Sequence, residues 1–355
     1  GMFVSMFGRL VFAATVTLVT GCSDFVMPST KEVPNMISVR TWDLPGPLGF
    51  KIEVVPRGRH SRSLAPPLAH AAEWTSKYGY LNVAIKVAEG GLSVTDALNE
   101  KGLSCGMLAL IGTEYPTCKT GDRDCVANDD FCKWAIENFA TAEEVEAGVR
   151  NVTVWGPGSA LGLHYAVRDE SGESAVFEFI KGEARVYPDH NDEGVTGFGI
   201  MTNEPEFPWQ VENVRHFKWK QSLAHPAVRI PGDFYPDERF QRIQVLRSTL
   251  PEPKSLQEKI SYAAHVLNSV TVPRGIGRLI GTDTTKASSA LDMGDHTQYE
   301  VIRDHTTKTY YWRSQENPSL QRLVLTDFDL SPNKSVLSLD LYSGPWFEDA
   351  KPRLS

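Results

Sequence analysis

Four stretches between residues 36 and 110 constrain this chain most: MISVRTWDL, FKIEVVPRG, GYLNVAIKVA and LSCGMLAL. They are rich in β-branched residues. LPGP breaks them after the first, and a turn at Asn99 to Gly102 precedes the last. That punctuation predicts strands at 36–44, 50–58, 79–88 and 103–110. Further along, LGLHYAVRD and SAVFEFIKG flank ESG as a hairpin. ARVYPD and GFGIMTN follow as strands, and TQYEVIRDHTTKTYYWRS reads as a closing hairpin. Helical patterns are grouped between these runs. One covers 128–150, with Phe131, Trp134, Ala135 and Phe139 on one stripe and a capping pair Thr141 and Glu144 opening a second helix. Others cover 236–250, which starts with Pro and acidic residues, and 255–270. Antiparallel runs with grouped helices predict an α+β layered fold.

Residues 1–21 differ from the rest. Arg9 is the one charge, LVFAATVTLV is apolar or small throughout, and Val19 and Gly21 suit a signal-peptidase site. The run is too short to span a bilayer of about 30 Å. A secretory signal over 1–21 is therefore expected, followed by one domain over 22–355, in a secreted or periplasmic protein. The net charge of −8 excludes a general nucleic-acid binder, which carries a basic footprint.

Export would place the five cysteines, Cys22, Cys105, Cys118, Cys125 and Cys132, in an oxidising compartment. The number is odd, so at least one sulfur is left over. CKTGDRDCVANDDFC lacks the close pairs or histidines of a zinc site, so a loop disulfide is expected, with partners the spacing does not fix. No metal or cofactor is expected.

Cleavage after Gly21 would put Cys22 first. Its α-amine, with a pKa near ~7.7, would be a usable base at neutral pH. Thiol and amine together make a nucleophile and its base in one residue.

The chain resembles the choloylglycine hydrolase family of N-terminal-nucleophile hydrolases, which includes bile salt hydrolases and penicillin V acylases. After Cys22, ISVRTWD is similar to the family's R-x-x-D strand, giving Arg40 and Asp43. DALNEKGLSCGML is similar to its D-x-x-N-E-K-G-L segment, MTNEPEFPW to its T-N-x-P segment, giving Asn203, and IPGDFYPDERFQR to its P-G-D segment, giving Arg239. The resemblance implies a four-layer αββα sandwich, Cys22 as nucleophile, and hydrolysis of a linear amide C–N bond in a small N-acyl substrate. It also implies a homo-oligomer, a tetramer.

Each residue's chemistry fits such a role. Arg40 would favour thiolate by its charge. Asp43 could hold the α-amine, Asn203 could donate to a tetrahedral oxyanion, and Arg239 could tie these surroundings together. On an ideal strand residues 40 and 43 face opposite sides, so a bend or bulge is expected here, with LPGP just downstream to supply it. Many family members have an asparagine where this chain has Ala109, which leaves a backbone N–H as the oxyanion donor there. Bile-salt specificity is therefore not implied, and a different acyl or leaving group is expected: that of penicillin V, an N-acyl homoserine lactone or another N-acyl amine. Trp42 would line the acyl pocket, and His164 reads as a packed strand residue.

A reading of another class rests on VTGC, which resembles a lipobox. Cys22 would then be lipidated and its amine acylated, in a surface binding lipoprotein without amidase activity.

Overall fold

A computed structural model describes residues 21–45, 48–86, 92–121, 123–157, 162–189, 197–223, 230–276 and 295–353. The apolar run before Gly21 lies outside these residues. The strands in the first third are β1 (Ser23–Met27), β2 (Ile37–Pro45), β3 (Phe50–Val55), β4 (His60–Arg62), β5 (Glu73–Thr75), β6 (Tyr80–Lys86), β7 (Leu92–Asn99) and β8 (Ser104–Ala109). There follow β9 (Asp124–Ala127), α1 (Phe131–Asn138), α2 (Ala142–Val149), β10 (Val152–Trp155), β11 (Leu163–Arg168), β12 (Ser174–Ile180), β13 (Glu183–Pro188) and β14 (Ile200–Met201). The chain closes with α3 (Phe207–Leu223), α4 (Pro236–Thr249), α5 (Leu256–Asn268), β15 (Asp295–Asp304), β16 (Thr309–Ser314), β17 (Gln321–Val324) and β18 (Leu337–Asp340).

Two antiparallel sheets carry the molecule. One has the order β14-β1-β2-β15-β16-β17, the other β13-β12-β11-β8-β7-β6-β3-β18. α1 and α2 pack on the outer face of the larger sheet, α4 and α5 on that of the smaller. This is the four-layer αββα sandwich. Central strands are covered on both faces, so they lose the polar-out alternation of a two-layer protein: all ten residues of β15 are buried.

Local signals explain the helix ends. Thr141 Oγ1 accepts from Glu144 N at 3.2 Å, and Ser255 Oγ accepts from Glu258 N at 3.1 Å, so both helices open on side-chain caps. α4 begins with Pro236 in its first turn, followed by Asp237 and Glu238. α3 has no counterpart in the sequence reading, because its short buried stripe of Phe207, Val211 and Val214 is blurred by the exposed Trp209 and Trp219. GFGIMTN was expected as a full strand, but only Ile200 and Met201 pair.

N-E-K-G-L turns out to be a structural knot. Asn99 Oδ1 accepts from the amides of Lys101 and Leu103, while its Nδ2 donates to Ile136 O and Phe139 O. This pins the β7–β8 turn to the end of α1. Two disulfides lie nearby: Cys105–Cys132 joins β8 to α1 across 27 residues, and Cys118–Cys125 closes a loop. Cys22 is the free cysteine, and it is buried.

Between the sheets lies a buried ion cluster. Asp24 on β1 accepts from Arg168 Nε at 2.7 Å and Arg303 Nη2 at 2.9 Å. Asp96 on β7 accepts from Arg40 at 3.1 Å, from Arg303, and from Tyr310 at 2.6 Å. Asp189 accepts from Arg168 at 3.0 Å. Arg303 therefore answers two carboxylates on different sheets. Arg303→Met would leave Asp24 to Arg168 alone and Asp96 to Arg40 and Tyr310, and breaking a buried ion pair costs about 3–5 kcal/mol. Urea unfolding should show a loss in that range, with the thermal midpoint falling alongside.

Candidate active site

Cys22 stands just before β1, where that strand starts along β2. The register sets Ser23 opposite Thr41, so the residues around Trp42 and Asp43 flank the sulfur. Cys22 Sγ accepts from Asp43 N at 3.4 Å and donates to Asp43 O at 3.7 Å. Thr41 Oγ1 accepts from Ser23 N at 3.0 Å and lies 3.4 Å from both Gly21 O and Asp43 Oδ2. Gly21 packs tightly against Asp43: a Cβ there would sit 2.3 Å from Asp43 Oδ2.

Arg40 and Asp43 do not turn to one side. Arg40 reaches across to the larger sheet, donating to Thr95 O, Asp96 and Met107 O, and lies over Trp42 at 4.9 Å. Asp43 shares the opposite face with Thr41. β2 carries no bend at LPGP before it ends at Pro45. The irregularity is in the neighbouring β15, where Gln298 is an extra residue between the pairs Thr297–Asp43 and Tyr299–Trp42. The expected bend is thus corrected: the bulge in β15 lets Thr297 share a face with Asp43 while Tyr299 stacks on Trp42 at 6.1 Å. A second bulge, Thr95 in β7, turns a carbonyl towards Arg40.

Arg239 gathers the remaining parts. From the first turn of α4 it donates to Cys22 O at 2.6 Å, Ser23 Oγ at 2.6 Å, Asn203 Oδ1 at 2.9 Å and Phe234 O at 2.8 Å. A guanidinium only donates, so this contact fixes the orientation of the Asn203 amide. Asn203 Nδ2 then donates to Ala109 O at 2.8 Å. Leu110 N bonds to Gly162 O at 2.9 Å. Alternation along an antiparallel strand therefore turns both the N–H and C=O of Ala109 away from β11. The β7–β8 ladder ends at Gly106, so this side of Ala109 opens beyond it. The predicted residues Cys22, Asp43, Asn203, Ala109 and Arg239 thus meet, with Arg40 on the far face of β2.

The electrostatics match this layout. Burial and the Asp43 charge push the Cys22 thiol up to about 11, against the opposing pull of Arg40 and Arg239. Burial pushes Asp43 up to about 8, although Arg239 and the Thr297 hydroxyl counter it. The expected thiolate-favouring pull of Arg40 exists but is outweighed. Among the described residues no cluster of three or more His, Cys, Asp or Glu could hold a metal ion. Three residues beside the site carried no role in the sequence reading. Asp96 was visible as the first letter of its motif. Thr41 and Asp295 gave no signal, because their roles arise from cross-strand register. His164 is packed as expected, 3.2 Å from Glu178.

Residues 22–339 match the model of the family described as linear amide C–N hydrolases, choloylglycine hydrolase family. Penicillin V acylase from Pectobacterium atrosepticum is 26% identical over 318 residues, 80% of this chain and 78% of that protein. Bile salt hydrolase/transferase from Clostridium perfringens is 25% identical over 292 residues, 74% of this chain and 81% of that protein. The structure of penicillin V acylase from Agrobacterium tumefaciens superposes with a TM-score of 0.73 at 26% identity, covering 90% of this chain and 91% of that one. A variant of conjugated bile acid hydrolase from Clostridium perfringens shares the fold at TM-score 0.72 and 22% identity, covering 90% and 97%.

A pH dependence follows from Asp43. The unfolded chain releases its proton near the ordinary 3.8, whereas the fold with Gly21 attached holds it to about 8. Between those values the fold binds more protons, so stability falls as pH rises. The slope approaches about 1.4 kcal/mol per pH unit for one proton. Denaturation of the chain bearing Gly21 at pH 5, 6.5 and 8 should show this fall; Asp295, raised to about 7 by burial, adds to it below that pH, so Asp43→Asn should remove one proton's share of the slope and leave little of it between pH 7 and 8.

Proposed function

Because the chain belongs to the choloylglycine hydrolase family and is an amidohydrolase of linear C–N bonds, we propose that removal of residues 1–21 turns Cys22 into its nucleophile. The substrate is a small N-acyl amide whose acyl half is of the kind penicillin V acylases accept. The observation that carries this reading is Arg239, one side chain that holds both Cys22 O and Asn203 Oδ1. It joins the sulfur to the amide best placed to meet the developing charge.

The steps balance within these residues. The Cys22 thiol gives its proton to its own α-amine, and the thiolate attacks the substrate carbonyl. Negative charge moves to the carbonyl oxygen, which meets Asn203 Nδ2 and the Ala109 N–H. The α-ammonium, held by Asp43, protonates the departing nitrogen as the C–N bond breaks. Water then hydrolyses the thioester, with the α-amine as base. While Gly21 is attached, that nitrogen is an amide with no basic lone pair, and the thiol stays protonated at neutral pH. Asp43, unpaired at Oδ1, gains a counter-charge once the amine is free.

Export is part of the proposal. The two disulfides support an oxidising compartment, and the family match begins at Cys22, where the apolar leader would be cut. The lipoprotein reading would acylate the amine and remove the base.

The experiment compares protein starting at Cys22 with protein starting at Gly21, using penicillin V and a panel of N-acyl amines. The loss on retaining Gly21 should be at least 10²-fold, the low end of general-base catalysis at roughly 10²–10⁴-fold. Cys22→Ala should be inactive yet folded by circular dichroism. Equal rates from both start sites, with intact mass confirming Gly21, would overturn the mechanism. Mass of the exported N-terminus would also reveal an acylated amine.

A further inference from the structure

The face of the smaller sheet that carries Asp43 holds more buried carboxyl groups than the site's chemistry uses. Asp295 begins β15 and pairs with Pro45, and Thr297 pairs with Asp43. Paired residues of an antiparallel ladder share a face, so Asp295 stands on the Asp43 side, one step further out along the sheet. It is 3% exposed, and neither carboxylate oxygen has a hydrogen-bond partner among the described residues. A buried carboxylate without a donor is costly and needs a function to explain it. Glu204, which follows Asn203 directly, and Arg239 are the charges that act on it. Arg239 draws its pKa down through space but donates a hydrogen bond to neither of its oxygens.

The mechanism tells which half of a substrate meets this face. The departing nitrogen takes its proton from the α-amine of Cys22, so it must lie beside Asp43, opposite the oxyanion donors at Asn203 and Ala109. We propose that Asp295 is a recognition residue for the amine half of the substrate, and that the favoured amides release an amine bearing a second, cationic group. This rests on the function proposed above and refines its substrate. A cation such as a primary ammonium would give Asp295 the charge-assisted hydrogen bonds it lacks. An amine bearing a carboxylate or sulfonate would meet Asp295 and Glu204 together and be repelled. Penicillin V, whose released amine bears a carboxylate, falls in the disfavoured class even where its acyl half fits.

The test uses one acyl chain joined to three amines: 1,2-diaminoethane, ethanolamine and glycine, which are cationic, neutral and anionic at pH 7. Protein starting at Cys22 should give kcat/KM in the order cationic, neutral, anionic, with about tenfold or more between the ends. Asp295→Asn keeps the shape and removes the charge, and should compress that range to within about threefold. Asp295→Glu should retain the order. A wild-type preference for the glycine amide, or an Asp295→Asn variant with the wild-type ratios, would overturn the assignment. The wild-type order decides even if Asp295→Asn does not fold. Cys22→Ala in parallel separates this from the parent reading: turnover surviving that change sinks the nucleophile, while the charge order is read from ratios alone. Calorimetry of the 1,2-diaminoethane amide and of the glycine amide with Cys22→Ala gives a readout without turnover, and tighter binding of the glycine amide would count against Asp295.

Discussion

The ion cluster between the two sheets is the contact on which the rest depends. Asp24, Asp96 and Asp189 face Arg40, Arg168 and Arg303, all with fully buried side chains, so charges of opposite sign balance inside the sandwich. Such charges are tolerated only when each is answered, because desolvation costs several kcal/mol per ion. The cluster therefore sets how the sheets lie on each other more strictly than apolar contacts would. Gly106 makes room for it: a Cβ at that position would lie 3.1 Å from Asp24 Oδ2 and 3.2 Å from both Arg303 and Arg40.

The site is built at the edge of this arrangement by small departures from regular strands. The bulge at Thr95 serves Arg40, and the bulge at Gln298 separates the roles of Thr297 and Tyr299. Arg40 belongs to the cluster as much as to the site. Its effect on Cys22 is one of field rather than direct contact, and burial of the sulfur outweighs it. Arg239 works in the other direction, from the helical layer. α4 is a helix of buried arginines: Arg242 donates to Pro231 O and Ser269 O, and Arg247 to Val26 O and Phe198 O. These contacts fasten the outer layer to β1 and to the segment leading into Asn203.

Much of this was legible in the sequence. Strands such as 37–45 and 50–55 carry their signal locally, in β-branched runs ended by Pro and Gly, and the helices after Thr141 and Ser255 announce themselves through caps. Cys22, Arg40, Asp43, Asn203 and Arg239 were found through ordered motifs. What a single strand cannot show is its partner. The Cys105–Cys132 bridge, the reach of Arg40 to Asp96, and the position of Asp295 beside Asp43 are set by contacts between separate segments of the chain. α3 stayed hidden for another reason, since its short apolar stripe is blurred by exposed tryptophans and leaves no clear period to read. The bend expected in β2 was a local answer to a problem that the neighbouring strand solves.

The two disulfides also bear on how the chain reaches its native state. Five sulfurs can form two bridges in fifteen ways, five choices of the leftover atom times three pairings of the other four. Only three of those spare Cys22, and one of the three is native. Every other pattern withdraws a sulfur from its place, and most withdraw Cys22, the proposed nucleophile. Oxidative folding is thus a sorting problem whose errors are silent in mass yet fatal to chemistry. The fold counters this by seating Cys22 in the core at the start of β1. While Gly21 is attached, that burial shields the sulfur from an oxidant or a stray thiol.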